Sequence, residues 1–485
     1  MSTVADGGSG AQLDPLRWRA LGTCVCALYI TLLDVSIVNV ALFSIGRDTG
    51  AGPAQLQWVV SGYALAFGMV PIIAGRLGDD RGRRLLLLIG IAAFVVFSAA
   101  VGLAPNPTVL VAGRVLQGLA GGLLNPQVSG LVQQLFPRWE RGRAFGVIGT
   151  AVGVATATGP VLGGVILALG GDRYGWRLCF LINVPIGIVA FVLCRLWLPA
   201  PGRRDGPARA LDLPGAALLA AGVFVLLLPA VQYDANHDPR LAVLLVPAVA
   251  LLAAFYLWER GPAKRRGHPL IDLDLFRISS YSDGIWLAIL FFCAYTGTPL
   301  VLALFLQQGL GFSPLQAGLT SSAYAVGVTV AAPIAGRLLP RMGSRVLVDG
   351  LVLFTLGVAA SGLTGLLAAG RVWPTGVALL LLVPLLVSGL GGGSVITPNQ
   401  ALSLADVDAA GGSTAGGTLQ TSQRIGNAIG AAVISAVFYA SSRSPGPDPA
   451  ASYGQAYGLA LGVSVLFGLA AIGLALRGSR HGRSL

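Results

Sequence analysis

Three charged side chains interrupt long apolar stretches of this sequence, and these side chains could do chemistry. Asp34 lies near the centre of "LYITLLDVSIVNVAL" (28–42), inside a run over 20–46 that holds no other charge. A run of this length crosses a bilayer at about 1.5 Å per residue, and a carboxylate at the midplane costs about 2.5–3.5 kcal/mol. Arg114 and Arg424 lie in two further apolar runs. Because such charges mark ion or substrate pathways, we expect each to face a cavity or a partner.

The residues around Asp34 indicate which way its carboxylate points. Thr31, Asp34, Val38 and Ala41 follow one another at spacings of three and four residues, so they share one face of a helix. That face is small and partly polar, whereas Leu32 lies away from it. We therefore expect Asp34 to point into the interior of a helix bundle or into a cavity.

The composition places the chain among membrane proteins. Of its 485 residues, 55% are hydrophobic and only 11% are charged, whereas soluble proteins carry about 25% charged residues. The net charge of +12 comes from basic residues in short loops between apolar runs, a placement typical of membrane topology and not of nucleic-acid binding. No span combines a nucleophile with a histidine base, and no metal-ligand cluster is present. We therefore predict neither an enzyme nor a metal or other cofactor.

Apolar runs of spanning length, separated by charged or Pro/Gly-rich breaks, predict fourteen transmembrane helices. They lie near 20–46, 55–75, 85–104, 108–132, 144–169, 177–198, 211–232, 241–258, 284–308, 315–336, 346–369, 373–401, 412–440 and 453–476. With the N-terminus inside, 24 of the 32 basic residues fall in inner segments and six in outer loops, in agreement with the positive-inside rule. We therefore predict that both termini are cytoplasmic.

An internal repeat divides the chain into two halves. "GRLGDDRGRR" (75–84) is echoed by "GRLLPRMGSR" (336–345), and "GTAVGVATATGPVLGG" (149–164) by "GGTLQTSQRIGNAIGA" (416–431), at offsets of 261 and 267 residues. Two parallel halves around a central cavity are a transporter architecture. The repeat predicts an N-terminal six-helix bundle over 1–199, two inserted helices with a cytoplasmic loop over 200–277, and a C-terminal six-helix bundle over 278–485.

Six motifs in order carry a family resemblance. They are "LLDVSIVNVAL" (32–42), "GRLGDDRGRR" (75–84), "RVLQGLAGG" (114–122), "GPVLGG" (159–164), "WRLCFLINVPIG" (176–187) and "LFLQQGLGFSPLQAGL" (304–319). Over essentially its whole length the chain resembles the major facilitator superfamily, in its 14-span drug:proton antiporter branch (the EmrB/QacA type). The resemblance implies an all-α polytopic membrane protein with two six-helix bundles and two inserted linker helices, which works by alternating access in the bacterial plasma membrane.

The loop after the second span is expected to act as a gate. Gly75 and Gly82 permit tight reversals, and Asp79 lies among several arginines that include Arg83. The resemblance implies that Asp79 and nearby arginines latch the cytoplasmic side while the cavity faces outward, with Asp79 placed to meet the positive N-terminal end of span thirteen near 411–414. The alternative is that these arginines only fix the topology. The second copy has Pro340 at the Asp79 position, so we expect no equal latch in the C-terminal half.

The fifth span carries a motif of small residues, which act through helix packing and not through reactive side chains. The resemblance makes it the antiporter motif, which shapes the interface between the halves and limits leak, and ordinary helix packing is the alternative. Small residues at four-residue spacing permit close helix contact, and the Gly-Pro step can bend the helix. The motif residues are Gly149, Gly153, Gly159, Pro160, Gly163 and Gly164.

These observations combine into one functional hypothesis. Spans one and four of the resembled fold line one half of the cavity, so Arg114 is expected to pair with Asp34. Desolvation favours the protonated carboxylic acid and an arginine favours the carboxylate, so Asp34 can serve as a proton carrier. A permanently ionised structural pair is the alternative. We predict proton-coupled efflux of drugs or antibiotics, with a dedicated exporter of one endogenous metabolite, or a non-transporting receptor, as alternatives.

The predicted partners are protons, an amphiphilic small molecule and the lipid bilayer, with no nucleic acid, and we expect a monomer. Arg424 faces either an anionic substrate group or the membrane surface by snorkelling. Polar and aromatic side chains at cavity-facing positions form the candidate substrate site: Thr31, Asn39, Tyr63, Gln117, Gln307 and Arg424.

Overall fold

The computed structural model describes residues 15–199, 212–236, 243–263, 269–442 and 448–480, and in these ranges the chain is built from helices. The α-helices, numbered in chain order, are α1 (Arg17–Thr49), α2 (Pro53–Met69), α3 (Pro71–Arg81), α4 (Arg83–Gly102), α5 (Pro107–Leu135), α6 (Arg138–Leu181), α7 (Asn183–Trp197), α8 (Leu213–Asn236), α9 (Leu245–Trp258), α10 (Ser279–Leu304), α11 (Pro314–Met342), α12 (Arg345–Ala368), α13 (Pro374–Ser403), α14 (Gly412–Ser442) and α15 (Pro449–Arg480).

Within the described ranges, eleven helices are long and apolar enough to cross a membrane, and the bent pair α2–α3 makes a twelfth if it is one span. The inserted helices are shorter. The apolar part of α8 covers Leu213–Pro229, and α9 has 14 residues, which span about 21 Å of a hydrocarbon core about 30 Å thick. The all-helical architecture is confirmed, whereas the count of fourteen spans and the cytoplasmic termini stay predictions.

Two backbone breaks have local causes. The second span bends by 45° between α2 and α3, where Pro71 lacks the amide hydrogen that would continue the helix. The fifth span and the start of the sixth both lie within α6, and they are separated at Gly171, whose φ of 62° and ψ of −174° are not helical. A positive φ of this kind favours glycine because it has no Cβ. The helix does not break at Pro160, where the sequence indicated a bend.

The two halves repeat the same packing. Gly159 and Gly163 bring α6 against α1, and Gly426 and Gly430 bring α14 against α10. At Gly430 an added Cβ would collide with the carbonyl group of Cys293, so the helix backbones touch there. These glycines are the matched positions of the sequence repeat, so the repeat is also a repeat of helix contacts.

The halves meet at one end of the bundle. We call this the inner end: it carries the end of α3 at Arg81 and the start of α6 at Arg138, a side that the sequence predicts to be cytoplasmic, and the opposite end is the outer end. Here the start of α14 packs against α3 and α5, and α6 packs against α11. The polar contacts between the halves that involve Arg83, Gln133 and Arg141 also lie at the inner end.

The inserted helices pack beside the junction of the halves. α8 contacts α2, α14 and α9. Beyond the last residue of α9, the carboxylate of Glu259 accepts hydrogen bonds from the backbone N–H groups of Leu270 (3.0 Å) and Ile271 (3.4 Å). Burial raises the pKa of Glu259 to about 7. The two N–H donors and Arg76 oppose this rise in pKa, whereas Asp212 adds to it. Glu259 therefore anchors the segment that leads into the C-terminal half.

This anchor predicts a pH dependence of stability. The pKa of Glu259 in the folded chain, about 7, exceeds its ordinary value of 4.5, so the folded state binds the proton more tightly. Its contribution is therefore fully present below about pH 4.5 and is lost as the pH rises through 7, with an upper limit of about 3 kcal/mol at 1.36 kcal/mol per pKa unit. We expect the apparent melting temperature in detergent to fall between pH 5.5 and 8, and Glu259→Gln to flatten that fall.

Asp274→Asn is the matched control, because this carboxylate of the same segment is half-exposed and pairs with the exposed Arg277. It should keep the wild-type pH profile. An unchanged profile in Glu259→Gln would show that another group carries the dependence.

Candidate functional site

Asp34 is the centre of a buried polar network in the N-terminal half. Its side chain is fully buried. Oδ2 accepts a hydrogen bond from Nη1 of Arg114 (2.6 Å), and Oδ1 accepts from the side-chain amides of Gln117 (3.0 Å) and Asn183 (2.9 Å). The four residues belong to α1, α5 and α7. A carboxylate so supplied with donors can remain ionised away from water.

Arg114 is held on every side. Its Nε donates to the carbonyl oxygen of Val59 (2.9 Å), and Nη1 also donates to Oε1 of Gln117 (2.7 Å). The guanidinium lies 4.2 Å from the ring centroid of Tyr63, a cation–π contact that further stabilises a desolvated charge. The predicted pairing of Asp34 with Arg114 is therefore present, inside a larger network.

Two members of this network, Ser98 and Asn183, are not among the residues predicted from the sequence. The Asn183 amide donates to both Asp34 and the Ser98 hydroxyl (3.1 Å). Ser98 also accepts from Gln117 (3.0 Å) and donates to the carbonyl oxygen of Phe180 (2.9 Å). A sequence signal existed, because both residues are polar within apolar spans and Asn183 lies in the motif over 176–187. Nothing in the spacing says that a side chain 149 residues away reaches Asp34.

The six candidate cavity residues separate into two groups. Thr31, Tyr63 and Gln117 are buried in the N-terminal half. The Thr31 hydroxyl donates to the carbonyl oxygen of Leu28 in its own helix (2.8 Å), and the Tyr63 hydroxyl lies 3.4 Å from the Thr31 carbonyl oxygen. As placed, these three support the Asp34 network and do not line open space. Asn39 and Gln307 are exposed and Arg424 is half-buried, so these three remain reachable.

Arg424 differs from Arg114 in its partners. Its guanidinium lies 4.7 Å from the ring centroid of Phe67, and this ring stacks on Tyr63 with centroids 5.9 Å apart. In the part of the chain that the structure describes, no carboxylate forms an ion pair with Arg424. Each ring therefore contacts one arginine: Tyr63 contacts Arg114 of the N-terminal half, and Phe67 contacts Arg424 of α14.

A cavity of about 370 Å³ opens at the outer end between α2 and α5. None of the six candidate residues lines it; its walls are Ala54, Gln55, Trp58, Thr108, Val111 and Ala112.

Asp79 joins the two halves at the inner end. Its carboxylate accepts from the backbone N–H groups of Ser413 (3.1 Å) and Thr414 (2.7 Å) and from the Thr414 hydroxyl (2.8 Å). Arg83 donates to the same carboxylate through Nη2 (2.7 Å) and Nε (3.1 Å). The site is the N-terminal end of α14, where unpaired N–H groups and the helix dipole favour an anion. The structure thus places Asp79 at the helix end that the sequence suggested.

Arg83 and the two loop glycines complete this contact. Arg83 also donates to the carbonyl oxygens of Gly130 (2.7 Å), Ala409 and Ala410 (3.4 Å), so it ties α5 to the segment before α14. A side chain at Gly75 would collide with the backbone of Ser413. Gly82 ends α3 with φ 107°, a conformation that L side chains rarely adopt.

The opposite side of the inner end is closed mainly by close packing, beside an exposed ion pair of Arg138 with Asp406 (3.6 Å). At Gly336 an added Cβ would meet the carbonyl oxygen of Gly142, so α6 and α11 touch backbone to backbone. Pro340, the counterpart of Asp79, is exposed within α11. Buried ionic contacts therefore dominate one side of the inner end, and close backbone packing dominates the other.

The fifth-span motif contacts two neighbouring parts of the structure, the C-terminal half and α1. Gly149 and Gly153 face the C-terminal half, where an added Cβ would meet Thr397 and Thr329, respectively. Gly159 and Gly163 instead pack on α1. Pro160 is exposed, and Gly164 has no atom within 4 Å of where a Cβ would lie. Only the first part of the motif therefore contacts the other half.

Comparison with known sequences decides the family. Residues 24–431 match the sequence profile of the Major Facilitator Superfamily, with a second match over 284–482. The chain belongs to this superfamily. Because it is a family of transporters, the prediction of a transporter and not an enzyme is confirmed, as is the resemblance that the six motifs carried.

Several bacterial relatives of this superfamily member are named for antibiotics. It is 38% identical to the probable actinorhodin transporter of Streptomyces coelicolor over 84% of this chain and 70% of the relative. It is 33% identical to the puromycin resistance protein pur8 of Streptomyces alboniger, over 86% of this chain and 80% of the relative. It is also 33% identical to the tetracenomycin C resistance and export protein of Streptomyces glaucescens, over 85% and 74%. With its eleven or more spanning helices, the chain is a multi-pass plasma-membrane transporter.

Solved structures agree on the superfamily fold. The human organic anion transporter MFSD10 (TETRAN) aligns with a TM-score of 0.66 at 16% identity, over 94% of this chain and all of that one. The proton:xylose symporter XylE aligns with a TM-score of 0.62 at 13% identity, over 93% and 94%. At such identities the agreement concerns the fold alone.

The Asp79 contact predicts how substitution changes the inner gate of this transporter. Asp79→Asn removes the charge that faces Arg83 and the α14 N-terminus, and breaking a buried ion pair costs about 3–5 kcal/mol. We expect the inner end to open more often. Ser129→Cys, at a buried position that contacts Gln400 and Gln420 across the halves, should react about tenfold faster with a membrane-impermeant maleimide applied from the inner side.

Asp80→Asn is the matched control, since Asp80 pairs with Arg76 one turn earlier in the same helix (3.0 Å). It should leave the labelling rate within about twofold of the Ser129→Cys parent. Equal acceleration by both variants would mean that loop charge in general, and not the Asp79 contact, closes the inner end.

Proposed function

We propose that this transporter exports amphiphilic drugs or antibiotics in exchange for protons, with Asp34 as the proton carrier. The observation that carries the proposal is the fully buried Asp34 carboxylate, hydrogen-bonded to Arg114 at 2.6 Å within a membrane-spanning helix. Three donors hold the carboxylate in place, and a proton on Asp34 would displace its ion pair with Arg114.

The contacts that close the inner end support the assignment of this structure to an outward-facing state. With Asp79 and Arg83 joined to α14 and α6 in contact with α11, the cargo path leads to the outer side. In our scheme a proton enters from that side and neutralises Asp34, which releases Arg114 from its ion pair. Protonated Asp34 and bound cargo disfavour each other, so cargo leaves outward. Opening of the inner end then returns the proton to the cytoplasm.

The available driving force suffices for export. A proton that moves through roughly 150 mV releases about 3.5 kcal/mol, at about 2.3 kcal/mol per 100 mV. At about 1.4 kcal/mol per tenfold ratio, one-to-one exchange sustains a gradient of a few hundred-fold for a neutral cargo.

The second candidate is a dedicated exporter of one endogenous metabolite. It is favoured by relatives named for single compounds, the probable actinorhodin transporter and the tetracenomycin C resistance and export protein. Both candidates use the same Asp34 chemistry and differ only in the breadth of the cargo. Efflux from everted vesicles across a chemical panel separates them, because a multidrug exporter moves several unrelated compounds and a dedicated exporter moves one.

Asp34→Asn tests the proton coupling. The amide has the same shape but cannot carry a proton, so we expect uncoupler-sensitive accumulation in everted vesicles to fall to the level of empty vesicles. A wild-type amount of the variant in the membrane and a wild-type melting temperature in detergent would demonstrate that it is folded and inserted. Full uncoupler-sensitive transport by Asp34→Asn would refute the role of Asp34.

Asp48→Asn is the matched control. Asp48 lies on the same helix and also pairs with an arginine, Arg177 at 3.2 Å, but this pair is at the outer end and is partly exposed. Its removal should leave the proton dependence of transport intact. The predicted monomer is tested on the same preparation by its mass in detergent.

A further inference from the structure

We propose that Arg424 is the binding residue for an anionic group, a carboxylate or a phenolate, on the cargo. The inference deepens the proposed function and rests on it for the direction of transport, but not for the binding itself. The two arginines inside the membrane differ in their partners. Arg114 has a carboxylate, a carbonyl oxygen and an amide oxygen as partners, whereas the Arg424 guanidinium lies over the ring of Phe67.

The position of Arg424 on α14 turns it toward the junction of the halves. Gln420, Arg424 and Asn427 follow at spacings of four and three residues, so they form a polar strip on one face of this helix. At the inner end of the strip, Gln420 donates to the Ser129 hydroxyl of the N-terminal half (3.3 Å). At its outer end, Asn427 accepts from the Thr296 hydroxyl of α10. Gln420 and Arg424 therefore face the N-terminal half, where Arg424 lies against Phe67, and snorkelling toward the membrane surface does not describe Arg424.

Among the described residues, no carboxylate forms an ion pair with Arg424. Its side chain is half-buried, so a ligand can reach it. An arginine at this depth is expensive unless something compensates its charge. The Phe67 ring supplies part of the compensation at 4.7 Å, and a cargo anion would supply the rest through a bidentate hydrogen bond.

Two further polar atoms lie near Arg424 on α14. Oε1 of Gln420 and Oγ1 of Thr421 are buried without a hydrogen-bond partner among the described residues. Buried polar atoms are normally paired, so each is a ready contact for a polar group on a ligand. These atoms lie about one turn from Arg424, on the inner side.

The charge of Arg424 narrows the class of cargo. Phe67 and Tyr63 stack with an interplanar angle of 26°, and the Arg424 guanidinium lies over the Phe67 ring. Both rings are buried, so a ligand meets the guanidinium and not the ring faces. An anionic cargo would gain a charge-assisted hydrogen bond there, whereas a cationic cargo would meet repulsion from Arg424.

A matched ligand pair tests the inference. Anthracene-2-carboxylate and its methyl ester share one ring system and differ in charge. Equilibrium dialysis against the purified full chain in detergent, corrected with protein-free micelles, measures the binding of both. We expect Arg424→Gln to weaken binding of the acid about tenfold or more, because a charge-assisted bond is lost, and to change binding of the ester by less than about twofold.

Three further variants make the result decisive. Arg424→Met is measured in parallel so that the outcome does not depend on the folding of one variant, and Arg424→Lys should retain part of the preference for the acid. Arg173→Gln is the matched control, because Arg173 is an exposed arginine that also lies over an aromatic ring, Tyr174 at 5.6 Å. It should leave both affinities unchanged.

Equal losses for acid and ester, or no loss for the acid, in neutral variants with the wild-type melting temperature would overturn the inference. Asp34→Asn separates it from the proposed function. If Asp34 is not the proton carrier, transport by that variant stays normal while the acid preference still depends on Arg424.

Discussion

The ion pair between Asp34 and Arg114 is the constraint around which the N-terminal half is built. Neither charge is stable alone at this depth, and the pair is stable only with further donors and acceptors. Those come from α4, α5 and α7, together with a carbonyl oxygen of α2. Five helices must therefore be in register before the charges are satisfied, which couples the tertiary packing of this half directly to its chemistry.

The inner end shows how two halves of similar sequence divide one task. On one side the α3 loop meets the start of α14 through a carboxylate, an arginine and backbone N–H groups. On the other side, glycine backbones of α6 and α11 touch. The ionic side is sensitive to charge, whereas the glycine side is sensitive to side-chain volume. Two mechanisms of different physical origin thus hold the same end closed.

The sequence predicted those features that have few physical solutions. A lone carboxylate in an apolar run needs a cation, and Arg114 was the candidate on a neighbouring span, so the pair was predictable. The family resemblance implied that Asp79 meets the start of α14, where the helix dipole favours an anion. Asn183 and Ser98 were not predictable, because their contact with Asp34 depends on which face α4 and α7 turn inward.

The backbone breaks and helix lengths were also only partly predictable from the sequence. Proline removes one hydrogen bond and α6 absorbs that loss at Pro160, whereas the positive φ of Gly171 necessarily interrupts the helix. The ends of the inserted helices were also uncertain, because apolar runs do not state where a helix stops. Among the candidate cavity residues, Thr31, Tyr63 and Gln117 were chosen by chemical type, but their bonds are already used within the N-terminal half.

The stacked rings of Tyr63 and Phe67 have a consequence for motion. Both rings belong to α2, and so does the carbonyl group that holds Arg114, so this arginine travels with them as one rigid unit. Arg424 belongs to α14 and rests on the second ring only by contact. Any rocking that parts α2 from α14 lifts this cation off its aromatic face and leaves it less compensated. The C-terminal charge therefore senses the geometry of the carrier, while the N-terminal charge is shielded from it.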